Sequence, residues 1–89
     1  MSSRISPAEQ RLVEAILSEG FRLDIQDGWF YPPGGNSSAL VRLSVYGGQY
    51  QLHRRRKLKE PWMIVVTRDA EEFDIQSFHS WRETWPLTA

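Results

Sequence analysis

Two tandem glycines, Gly47-Gly48, separate two stretches of alternating apolar and polar residues, ALVRLSVY before and QYQLHRRR after. A two-residue turn at positive φ joins antiparallel strands with little splay, and glycine adopts it without steric cost. If the turn holds only those two residues, counting outward sets the register. Tyr46 pairs with Gln49, Val45 with Tyr50, Ser44 with Gln51, Leu43 with Leu52 and Arg42 with His53. Directly opposed residues share a face. One face therefore carries Val41, Leu43, Val45, Tyr50 and Leu52, and needs a cover. The other carries Arg42, Tyr46, Gln49, Gln51, His53, Arg55 and Lys57.

The cover comes from the ends of the chain. Ser6, Pro7 and Glu9 make an S-x-x-E capping box with proline at the first helical position. Ala8, Leu12, Val13, Ile16 and Leu17 then form one apolar stripe, which predicts an amphipathic helix over 7–19 ending at Gly20. Near the other end, Ile75, Phe78, Trp81 and Trp85 recur at helical spacing and predict a helix from about 74 to 84, capped by Asp69 or Asp74 and stopped by Pro86.

Between helix and hairpin, FRLDI alternates, and Asp27-Gly28 reads as a second two-residue turn. That turn would set Ile25 opposite Phe30 and Asp24 opposite Tyr31 in a return strand that Pro32 and Pro33 end. PPGGNSS reads as a loop; it lacks the Lys-Ser/Thr and the following helix that a phosphate loop needs. WMIVVTR is apolar at both parities and β-branched, which predicts a central strand buried on two sides. The fold class is α+β: one domain over residues 1–89, with an antiparallel four- to five-stranded sheet and both terminal helices packed on one face.

Several function classes are disfavoured. Without cysteine there is no disulfide framework and no thiolate zinc site, which points to the cytoplasm for so small a domain. MSSRISPAEQ has no apolar core of the signal-peptide kind, and no run of eighteen apolar residues exists, so no membrane role is expected. His53 and His79 fall on different elements with no catalytic signature around them. Asp69, Glu71, Glu72 and Asp74 do not have calcium-loop spacing and read as helix-start carboxylates. No enzymatic activity, cofactor or metal is expected.

LHRRRKLK, residues 52–59, is the most charged stretch. Strand alternation sends His53, Arg55, Lys57 and Lys59 to the open face beside Arg42, and leaves Arg54 and Arg56 at its margin. With Tyr46 and Gln51, and with Trp29 and Tyr31 nearby, these residues form the candidate partner-binding set. The bland explanation is a strand kept soluble by charge. Truncating Arg55 is expected to leave the fold nearly intact, as for an exposed side chain.

Eleven basic residues balance eleven acidic ones, and the carboxylates of 69–74 would neutralise the basic run if the two lie close. That balance favours a protein, or a protein–nucleic-acid complex, as partner. Direct nucleic-acid binding by the same face is the alternative. A homodimer is the third reading, driven by WMIVVTR if it lies at an edge, or by Leu40 and Tyr46 on the open face.

The helix–strands–helix order is similar to that of double-stranded RNA-binding domains. Those place lysines at the start of the second helix, on phosphate; here that place reads DAEEFD, which would repel it. In size, lack of cysteine and lack of catalytic motifs, the chain resembles in type the small accessory proteins of phages, including inhibitors of CRISPR or restriction machinery. The resemblance implies action by binding rather than by chemistry.

Overall fold

A computed structural model describes residues 6–89. Residues 1–5, half of the stretch read above as lacking a leader's apolar core, lie outside the described residues. The elements run α1 (Pro7–Ser18), β1 (Arg22–Asp24), β2 (Trp29–Tyr31), β3 (Val41–Tyr46), β4 (Gln49–Arg54), β5 (Met63–Asp69), a 3-10 turn (Ala70–Glu72) and α2 (Ile75–Thr84). The five strands form one antiparallel meander in the order β1-β2-β3-β4-β5.

The β3–β4 register is the one that the Gly47-Gly48 turn requires, from Tyr46 opposite Gln49 to Arg42 opposite His53. Both glycines have positive φ. Phe30 lies opposite Leu43, so β2 adds its central ring to the same face. Against that face pack Ala8, Leu12 and Ile16 of α1 and Phe78 of α2, forming one core with Phe21, Phe30, Val41, Leu43, Tyr50 and Leu52. Both helices therefore cover one side of the sheet. Phe78 sits at the centre of a ring cluster, 5.5 Å from Phe21 and 5.8 Å from Phe73 between centroids.

The caps follow local rules. Ser6 accepts from Glu9 N, and Ser6 N donates to Glu9 Oε1, both at 3.2 Å. The other oxygen of Glu9 accepts from Gly48 N at 2.9 Å, tying the helix start to the hairpin turn. These backbone donors, Gly48 first, hold the Glu9 carboxyl below its ordinary pKa. Asp74 caps α2 by accepting from Gln76 N at 3.1 Å. Asp69 makes no such side-chain bond and precedes the 3-10 turn instead.

Four expectations are corrected. The β1–β2 turn has four residues, Ile25–Gly28, so Asp24 faces Trp29 and Leu23 faces Phe30. Asp24 Oδ1 accepts from Gln26 N and Asp27 Oδ1 from Trp29 N, and these bonds fold a wider turn than Asp27-Gly28 alone. Ile25 is left 87% exposed at its tip. β5 is an edge strand, not a central one, with Met63, Ile64 and Val65 largely exposed. Leu40 is buried rather than open, because the C-terminal residues lie beside it: Leu40 N donates to Leu87 O at 2.8 Å and Ala39 bridges Thr88. β4 ends at Arg54, so alternation does not carry on to Lys57 and Lys59.

Leu43 is fully buried in this core, so Leu43→Ala should cost about 3 kcal/mol of unfolding free energy. Ile25→Ala, at the exposed turn tip, should stay within about 0.5 kcal/mol. Urea denaturation of both variants checks the placement of the core.

Candidate partner-binding face

No helix covers the second face of the sheet among the described residues, yet that face is not a row of free charges. Register places Tyr31 and Trp29 of β2, Arg42 and Ser44 of β3, and His53 and Gln51 of β4 side by side on it. Trp62, just before β5, folds over the same surface. The Arg42 guanidinium lies between two indoles, 3.9 Å from the Trp29 ring centroid and 4.5 Å from that of Trp62. Arg55 stacks on Trp62 as well, at 4.2 Å. The result is a cation–aromatic ladder that runs Trp29, Arg42, Trp62, Arg55 across the sheet.

His53 lies beneath it. Its ring is buried and sits 4.4 Å from the Trp29 ring between centroids. Arg42 Nε donates to His53 Nδ1 at 3.2 Å, so Nδ1 is an acceptor and the imidazole carries its proton on Nε2. Nε2 is buried without a hydrogen-bond partner among the described residues. Burial first, and then the Arg42 charge, push the His53 pKa below its ordinary value. Tyr31 is buried beside them and donates to the Asp27 carboxylate; burial, followed by that hydrogen bond, pushes its phenol up.

The candidate residues thus divide. Arg42, Gln51 and His53 lie together on the open face, but Arg42 is half-buried and His53 is buried. Tyr46, at the far end of β3, is 88% exposed. Arg54 points to the helix side and covers the Trp85 ring at 4.5 Å, with Trp85 stacked on Trp81. Arg56 and Lys57 are exposed in the turn after β4, where Arg56 reaches Glu60 at 3.7 Å. Arg55 is a clamp: Nε donates to Ala39 O at 3.0 Å and Nη1 to Leu58 O at 2.9 Å. The expectation that its truncation is harmless is therefore corrected, since two backbone acceptors and a ring contact go with it.

Trp62 was hidden inside an apolar run that reads as core. It shares parity with Ile64, which lies opposite His53, but that register is visible only in the folded sheet. The expected neutralisation of basic by acidic run is also corrected. Gln49 pairs with Asp69 and Arg54 with Met63, so the basic turn and the acidic segment lie at opposite ends of β4. Five residue steps separate those ends, on the order of 17 Å and beyond a physiological Debye length.

Other groups with chemical potential are already engaged. His79 Nε2 meets Glu19 Oε2 at 2.9 Å on the helical side, far in the fold from His53. A recess of about 500 Å³ beside β1 and the 32–36 loop includes Asp24, whose carboxylate is bonded to Gln26 N and Asn36. Among the described residues, no three histidine or carboxylate side chains group as a metal site would, and no helix is long and apolar enough to cross a membrane. Comparison with protein-family models, curated proteins and solved structures gave no match.

Two measurements follow. Arg55→Ala should lower stability by about 1–2 kcal/mol, while Lys57→Ala stays within about 0.5 kcal/mol, by urea denaturation. The second concerns pH. His53 has its pKa depressed in the fold, so between that value and 6.5 the unfolded chain binds more protons than the native one. Stability should therefore fall as pH drops below about 6.5, and His53→Gln should flatten that part of the profile.

Proposed function

We propose that the protein is a non-catalytic binding module whose uncovered sheet face engages a macromolecular partner, a protein in the first instance. The observation that carries this reading is the Arg42 guanidinium held between Trp29 and Trp62 on the face opposite the helices. Tryptophan, tyrosine and arginine are the residues that dominate interface energetics, most of all where their side chains are already ordered before binding. The ladder meets both conditions. Its guanidinium faces indoles and a neutral imidazole rather than a carboxylate, so its charge remains available to an acidic group on a partner. An inhibitory role of the kind carried by small phage accessory proteins would use the same surface.

One observation favours a second reading. Lys57 and Lys59 project from the turn at one end of the sheet, where Arg56 meets Glu60, and lie a strand's length from the carboxylates of 69–74. A basic turn next to the half-buried Trp62 indole would hold single-stranded nucleic acid by phosphate contact and base stacking.

The test is affinity capture with the immobilised protein against Trp62→Ala, run beside fluorescence anisotropy with short DNA and RNA at low and physiological salt. A defined protein retained by the wild type and lost by the variant, without oligonucleotide binding, is the expected result. Retention that Trp62→Ala does not change would rule this face out. Oligonucleotide binding that collapses with salt would transfer the function to the second reading.

A further inference from the structure

We infer that β5 is a self-association edge and that its occupant is a second copy of this chain, paired antiparallel about the strand's midpoint, Val66. Three observations lead there. The first is exposure: Met63, Ile64 and Val65 are 53%, 64% and 41% exposed on a strand with no neighbour on its outer side among the described residues. The second is the weak protection of that edge. Natural edges carry lysine, proline or inward charges, whereas the first part of this one, Met63–Val66, carries none; Pro61 lies before it, and its charges, Arg68 and Asp69, come only at the far end. A bulge is present, since Leu52 pairs with Val66 and His53 with Ile64, but it leaves those apolar side chains in solvent. The opposite edge, β1, is only three residues long.

The third observation chooses the partner. The basic turn, with Lys57, Lys59 and an Arg56 that meets Glu60, precedes β5; Asp69 ends the strand, and Glu71, Glu72 and Asp74 follow it. The strand therefore has a cationic and an anionic end. Antiparallel pairing with a second copy sets Met63 against Asp69 and Ile64 against Arg68, and lays each basic turn along the other copy's acidic segment. Both ends are satisfied at once, as a two-fold isologous interface requires. The two five-stranded sheets become one continuous sheet, with both helical layers on one side and both Trp29–Arg42–Trp62 ladders on the other.

The test is sedimentation velocity at rising protein concentration in low salt. Wild-type mass should move from 10.4 kDa toward twice that value and move back on adding salt. Ile64→Lys, an exposed change whose folding circular dichroism verifies, should stay monomeric. Lys57→Glu/Lys59→Glu and Glu71→Lys/Glu72→Lys should each be monomeric alone, because each meets like charge in its own copy. Mixed, they should form a heterodimer. A wild-type mass of 10.4 kDa throughout, a dimer that Ile64→Lys leaves intact, or a mixture that does not associate would each overturn the proposal.

Discussion

The pairing of β3 with β4 is the constraint from which both faces of the sheet are built. Leu43 opposite Leu52 gives α1 and α2 an apolar surface to cover. Arg42 opposite His53 places a guanidinium and an imidazole on the other side. A slip of one residue would exchange the faces, exposing Leu43 and setting Arg42 against the helices. The Gly47-Gly48 turn prevents that slip, and its contact with Glu9 couples it to the start of the first helix. Phe30 opposite Leu43 extends the same parity to β2, which is why Trp29 falls within reach of Arg42.

Magnitudes suggest what the ladder is for. A cation–aromatic contact at a partly exposed site is worth about 0.5–1 kcal/mol, so the two around Arg42 offer about 1–2 kcal/mol. A buried donor without a partner, as at His53 Nε2, costs about 1–3 kcal/mol. The two are of the same size and opposite sign, so the cluster adds little net stability. What it adds is a fixed arrangement of two indoles and a cation on an uncovered face. Neutral His53 is part of that arrangement, because a protonated ring would present a donor and a second charge to Arg42.

The parts of the fold legible in the sequence are those set by local rules: the Ser6–Glu9 box, the Gly47-Gly48 register and the spacing of Ile75, Phe78 and Trp81. The parts that were not are set at a distance. WMIVVTR has the composition of a central strand, but strand position depends on what lies next to it, and nothing does on its outer side among the described residues. The four-residue turn after β1 depends on two aspartate side chains accepting from backbone, which the Asp27-Gly28 pair conceals. Of the candidate site, Arg42 and His53 were legible as neighbours. Trp62, and the clamp that fixes Arg55, emerge only when the turn after β4 folds back.

That the uncovered face is a preformed cation–aromatic surface is the centre of this account, and a double-mutant cycle reads it most directly. Unfolding free energies of wild type, Arg42→Ala, Trp62→Ala and the double variant give the coupling between guanidinium and indole. The account predicts a favourable coupling of about 0.5–1 kcal/mol, matching stacked contact at a partly exposed site. A coupling of zero would mean that Trp62 does not stack on Arg42 in solution and that no guanidinium is held between two indoles on that face.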